Sequence, residues 1–404
     1  MDYNFDEIVD RRNTKSVKHD FAGRSGKPGY NCIPLWIADM DFRCPPAVRE
    51  AITARAEHGI YGYSEADDDY FTAVKQWMRV RHGWSVEPHW LVKTEGVLPA
   101  VSAAIHVLTK QGDAVMVQTP AYNQFNMLID YNKRKLVKNA LTLRDGRYEV
   151  DFEDFERRIV RDNVKLFILC SPHNPVGRVW TDSELARMGG VCLEHGVKII
   201  SDEIFADFVY TGRRHSVFAE LGREYADVTV TCTAPTKTFN MSGMPVSNIF
   251  ITNDELRDDF QDELRARGYL GCGVMPLLGC QAAYESGGPW LDALLKYLEG
   301  NVALARGFVG ERLPEIGWIE PEGTYLLWLD FRGLGFWARE LEAFLADEAQ
   351  ILLNSEPGAE GFMRVNVACP RAVLKQALLR LERAVRRRSP VPPVASNDTR
   401  NPTS

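Results

Sequence analysis

The chain has 404 residues, enough for one large core and a smaller second one, with 45% hydrophobic and 25% charged residues and a formal charge of 48 − 55 = −7. That mild acidity gives no electrostatic reason to expect nucleic acid or an anionic membrane as partner, and no apolar run approaches the roughly 20 residues needed to span a bilayer. The eight cysteines are scattered without C-x-x-C spacing, which argues against a zinc or redox site and fits a reducing cytoplasm.

In chain order, the N-terminus MDYNFDEIVDRRNTKS carries acids where a signal peptide would have its apolar core. Residues 1–45 are turn-rich and are expected to pack across two domains. Residues 46–287 alternate short β-branched runs with helical periods, which predicts a large α/β domain around a mostly parallel sheet. Predicted strands are DAVMVQ (113–118), VKLFILC (164–170), VKIIS (197–201), VTVTC (228–232) and NIFIT (248–252). A helix is expected over 97–112, with Pro99 in its first turn and Gly112 as its stop. A second spans 181–196, where Thr181 or Asp182 is the N-cap, Glu184 completes a capping box and Gly196 ends the helix. After GGPW (287–290) long helical patterns interleave with TYLLWLD and GFMRVNVAC, which predicts a smaller α+β domain over 288–387. Residues 388–404, basic and then rich in proline and polar residues, read as a disordered tail.

In an open α/β sheet, ligands bind beyond the carboxyl ends of the strands. The residues that follow successive predicted strands are Tyr122, Asn174, Asp202 and Lys237. Each alone has an ordinary explanation as loop packing, turn residue, helix cap or surface charge. Together they match one ligand, pyridoxal phosphate: Lys237 for its aldehyde, Asp202 for its ring nitrogen, Asn174 for its phenolic oxygen and Tyr122 for its ring face. Gly96 at a strand-to-helix turn would free the N–H groups of Val97 and Leu98 for the phosphate, with the hydroxyl of Thr236, and that of Thr233, as further donors.

The ordered series PLWIADMDFRCPPAV, HGIYGYSEADDDY, TPAYNQF, LCSPHNPVGRVW, SDEIFADF, APTKTFNMSG, GGPWLDALLKYL and GFMRVNVACPR resembles fold-type-I pyridoxal phosphate enzymes, and within them the MalY/PatB group of cysteine-S-conjugate β-lyases, also called cystathionine β-lyases. The likeness covers roughly residues 4 to 385. It implies the roles given above to Tyr122, Asn174, Asp202 and Lys237. It further implies that Arg364, with Asn174, grips the substrate α-carboxylate, and that Tyr63 reaches the phosphate of a second subunit in a homodimer with shared active sites. Trp36 to Asp39 would line the substrate entrance. Three departures stand out: Phe205 replaces a hydrogen-bonding residue, Thr236 replaces a commoner serine, and LLNSEPGAEGFMR is shorter than the usual loop before the arginine strand. The implied activity is β-elimination from L-cystathionine or another cysteine S-conjugate. An aminotransferase of the same fold and a non-catalytic α/β protein are the alternatives; a nucleotide-binding dehydrogenase is disfavoured because no G-x-G-x-x-G follows any predicted strand.

Overall fold

Runs such as Val164–Cys170 (VKLFILC) are too uniformly apolar for a half-exposed strand and must be covered on both faces. The computed structural model, which describes residues 3–22 and 31–388, shows this arrangement. Seven strands form one sheet: β1 (Leu91–Thr94), β2 (Ala114–Thr119), β3 (Lys135–Ala140), β4 (Val164–Cys170), β5 (Lys198–Asp202), β6 (Thr229–Thr233) and β7 (Ser247–Phe250), in the order β1-β7-β6-β5-β4-β2-β3. Neighbours β3, β2, β4, β5 and β6 are parallel, and β7 is antiparallel to both β6 and β1. Six strands therefore end at the same edge, and the loops that leave it share one side of the molecule.

Alternation along β4 sends Leu166, Ile168 and Cys170 to one face, against the helix Val97–Leu108 (α1) and the helix Asn123–Tyr131 (α2). Phe167 and Leu169 go to the other face, against Phe155, Leu185 and Met188. The helix carrying Leu185, Asp182–Glu194 (α3), begins with the expected capping box between Thr181 and Glu184. The predicted α/β class is thus the observed one. A second, antiparallel sheet joins Gly317–Trp318, Leu326–Asp330 and Phe362–Asn366, and Arg364 lies in the middle of the last of these strands.

Several boundaries differ from expectation. Strands β2, β5 and β6 each run one residue further than predicted, so Asp202 closes its strand as a ladder residue paired with Cys170 and Cys232. Helix α1 stops at Leu108, because Thr109 turns its hydroxyl back onto the Ile105 carbonyl, and Gly112 lies in the following turn with φ 86°. Edge strand β3 (KLVKNA) escaped the sequence reading, and β1 (LVKT) entered it only as the strand implied before Gly96; their lysines suit a sheet border and blur the apolar signal. Of the expected tail only Arg388 is described, its guanidinium 3.7 Å from the centre of the Phe336 ring, and the rest lies outside the described residues.

The N-terminal residues position a strap, residues 36–41, across the sheet edge. Lys18 is fully buried, 2.8 Å from Asp41 and 3.5 Å from Asp39. Arg11 bridges the same two carboxylates at 2.7 and 2.8 Å, and together these donors hold the Asp41 carboxyl well below the usual range despite its burial. From the other side, Asn366 Nδ2 donates to the carbonyls of Ile37 and Asp39 at 2.7 and 2.6 Å. Removing one partner of a buried charge cluster leaves the rest uncompensated. Lys18→Met is expected to lower the unfolding free energy by on the order of 3 kcal/mol in urea titration. Arg12→Met, which breaks only the exposed pair with Asp10, should leave the midpoint unchanged.

Candidate active site

The shared strand edge brings the sequence-predicted residues together from separate loops. Lys237 sits in a single helical turn, Pro235–Thr238, just after β6. Its Nζ donates to the Ala38 carbonyl at 2.6 Å and reaches Ser242 Oγ at 3.5 Å. Burial, reinforced by the cationic Arg364, lowers the amine to about 8 against the opposing pull of Asp39 and Asp202. A lysine whose proton is held this loosely is a usable nucleophile or base near neutral pH.

Asp202 is 5% exposed and its Oδ1 accepts one backbone N–H, from Ile204 at 3.1 Å. Its ladder neighbours Cys170 and Cys232 offer only weak donors. Burial therefore dominates and raises the carboxyl to about 7, with Glu203 adding to the rise and Lys237 opposing it. A buried acid with so little hydrogen bonding calls for a cationic N–H partner.

Asn174 is also buried. Its backbone N–H points to Cys170 Sγ at 3.4 Å, and its Oδ1 accepts from Arg364 Nη1 at 3.1 Å. Tyr122 caps α2 and meets Phe125 edge-on at 5.6 Å; its hydroxyl is pushed up by burial, and Arg364, Glu356 and Asp202 all act on it. Arg364 thus bonds Asn174, and the charges of Arg364 and Asp202 act on both Lys237 and Tyr122, which puts the five side chains in one neighbourhood.

At the same edge, α1 starts after Gly96, whose φ of 111° and ψ of 162° suit glycine, and no side chain caps the helix. The N–H groups of Val97 and Leu98 are left for an anion. Thr236 is buried beside Lys237. Thr233 is not available as expected, because its hydroxyl donates to the Asn248 carbonyl at 2.9 Å. Phe205 is core, edge-on to Tyr325 at 5.4 Å. Tyr63 does not join the cluster within this chain; it stands fully exposed beside Tyr61 and Ile60.

The sequence reading missed three features. The Ala38 carbonyl receives both Lys237 and the hydroxyl of Tyr325, the latter at 3.2 Å. Asn366 holds the strap. Glu356 bonds Arg364 Nη1 through Oε1 at 2.8 Å, with both side chains buried. Main-chain acceptors leave no trace in a sequence, whereas an acid in the shortened loop before Arg364 was a signal to follow.

Comparison with known proteins places this arrangement. The aminotransferase class I and II family model matches residues 30–381. The chain belongs to that family. It is 41% identical over 386 residues to the cystathionine beta-lyase PatB of Bacillus subtilis strain 168, covering 95% of this chain and all of that protein. It is 32% identical to the protein MalY of Escherichia coli K12, covering 95% and 99%. Among solved structures, cystalysin from Treponema denticola, which contains a pyridoxal 5'-phosphate cofactor, superposes with a TM-score of 0.92 at 36% identity, covering 96% of this chain and all of that one.

The raised carboxyl has a cost in the ligand-free protein. Between about 4, the ordinary value, and about 7 the folded chain keeps a proton on Asp202 that the unfolded chain releases, so stability falls as pH rises through that window. Asp202→Asn is expected to raise the thermal midpoint of the ligand-free protein, and to raise it more at pH 8 than at pH 5. An equal shift at both pH values would contradict a carboxyl displaced by burial.

Proposed function

We propose that this protein is a pyridoxal phosphate-dependent carbon–sulfur β-lyase that splits L-cystathionine or another cysteine S-conjugate into a thiol, pyruvate and ammonia. The observation that carries the reading is the pair at the ends of neighbouring strands: an amine lowered to about 8 on Lys237 and an acid raised to about 7 on Asp202. Cystathionine beta-lyase PatB, as a full-length relative, and cystalysin with its cofactor support the choice of chemistry.

The residues present fit the cofactor. The start of α1 has no side-chain cap, and Asp202 is buried with a single backbone donor, so an anion and a cationic ring N–H would each complete an unfinished partner set. When bound, pyridoxal phosphate supplies an aldehyde for an amine and a protonated ring that draws electrons from the α-carbon of the amino acid. Val97, Leu98 and Thr236 would hold the phosphate, Asp202 the ring proton, Asn174 the phenolic oxygen and Tyr122 the ring face. Arg364 would take the substrate α-carboxylate in a charge-assisted pair. Lys237 Nζ would be the base that removes the α-proton, and its lowered affinity for protons gives it a larger neutral fraction near pH 7 than an ordinary lysine has. Loss of the thiolate from the β-carbon, followed by hydrolysis of the remaining enamine by water to pyruvate and ammonia, is what separates a lyase from an aminotransferase.

A homodimer completes the site in this reading. The exposed run Ile60, Tyr61 and Tyr63, at 66%, 60% and 105%, suits burial against a second copy that receives Tyr63 at its phosphate. Eight free cysteines support a reducing, cytoplasmic setting, and no helix among the described residues is long and apolar enough to cross a membrane.

Lys237→Ala is expected to abolish pyruvate release from L-cystathionine and the absorbance band of the lysine–cofactor imine. The unaltered enzyme, given L-cystathionine with and without a keto-acid acceptor, is expected to release thiol and pyruvate; amino-group transfer to the acceptor without thiol release would favour the aminotransferase. Reductive trapping of added pyridoxal phosphate on Lys237 should rise with pH and level off above about 8. An ordinary lysine would still be gaining reactivity up to roughly 10.

A further inference from the structure

The arginine assigned to the substrate is already engaged. Arg364 Nη1 donates to Glu356 Oε1 at 2.8 Å and to Asn174 Oδ1 at 3.1 Å, and Nη2 reaches the Trp36 carbonyl at 3.3 Å. Its Nε is buried with no partner. The two charged side chains are 5% and 2% exposed, so solvent screens this pair little. Burial pushes the Glu356 carboxyl up and Arg364 pulls it partway back down; a substrate carboxylate arriving at Arg364 would compete with it for the same guanidinium, and one positive charge does not compensate two carboxylates.

Glu356 has somewhere to go. Its loop runs between the strands Ile351–Leu352 and Phe362–Asn366, and its remaining holds are neutral: the Asn123 N–H and Asn354 Nδ2, each at 3.2 Å. Glu356 also walls a cleft of about 320 Å³ whose lining is more apolar than polar, with Ala359, Phe362 and Met363 beside Asn123, Ser355 and Glu360. The cleft gives the side chain room to swing off the guanidinium, and the Asn123 N–H and Ser355 are the neutral polar groups at its wall.

Resting on the reading that Arg364 binds the α-carboxylate, we infer that Glu356 is an affinity-setting residue, an internal carboxylate that holds Arg364 until a substrate carboxylate displaces it. Every ligand must outcompete the tethered acid. The displacement cost is common to all α-carboxylates, so it lowers the affinity for every amino acid by the same factor and leaves their ranking to contacts with the side chain.

The test uses the cofactor-loaded enzyme and two probes that differ only at the carboxylate, L-alanine and L-alaninamide, with dissociation constants read from the change in cofactor absorbance. Glu356→Gln keeps the shape and removes the charge. It is expected to tighten L-alanine at least tenfold and to leave L-alaninamide within about twofold. L-Alanine binding that is unchanged or weaker in the variant overturns the inference, since a residue that merely props Arg364 would weaken binding when altered. If that variant does not fold, Glu356→Asp, one methylene shorter, should tighten L-alanine to a smaller degree, and no change there is equally fatal. Arg364→Ala separates the two levels: if it leaves L-alanine binding unaffected, the carboxylate assignment fails and the inference with it. If it weakens L-alanine while Glu356→Gln does not tighten it, only the inference fails.

Discussion

The site depends on a strap of peptide carbonyls, residues 36–41, laid across the ends of the parallel strands. Two cations of the site end on it, Lys237 on the Ala38 oxygen and Arg364 on that of Trp36. A carbonyl dipole favours a neighbouring cation less than a carboxylate does, so this choice of acceptor lets burial win at Lys237 and keeps the amine easy to deprotonate. The carboxylates of the strap are turned to other work. Asp39 and Asp41 face Arg11 and Lys18, and that cluster fixes the main chain. Charge is used for holding, and peptide dipoles for tuning.

Asp202 shows the complementary choice. Placed in the ladder between two thiols, with one backbone N–H for company, it lies in surroundings that solvate its anion poorly. Alone it resists ionisation; beside a cationic ring it would give up its proton readily, because the opposite charge then supplies what the strands withhold. Such a group lowers the stability of the ligand-free fold, a common feature of binding sites whose partner comes from outside the chain. Lys237 and Asp202 are thus shifted in opposite directions chiefly by the same cause, burial.

Much of this was legible in the sequence, and the reasons differ by residue. Strand-end positions follow from hydrophobic runs and the geometry of parallel sheets, so Tyr122, Asn174, Asp202 and Lys237 could be found without coordinates. Arg364 and Tyr63 carried no local signal and came only through family likeness. The edge strand Lys135–Ala140 was hidden, and Leu91–Thr94 blurred, by lysines that a sheet border tolerates. Family likeness set Trp36 to Asp39 at the substrate entrance, but the bonds of the strap could not be read, because its contacts at the site run through backbone oxygens that every residue possesses. Thr233 misled for the opposite reason: its side chain suited an anion, but the fold spends its hydroxyl on the Asn248 carbonyl of the next strand.

The antiparallel strand β7, wedged between β6 and β1, also bears on how the molecule is made. Strand β1 and the turn that follows it leave the ribosome early, yet their neighbour arrives late: Thr94 meets Ser247 across 153 residues of chain. Until then β1 has no ladder in this sheet on either flank and its hydrogen-bonding groups stay open to other chains. Closing so long a loop is slow, so this border is the part of the nascent sheet that stays exposed while the intervening strands are made.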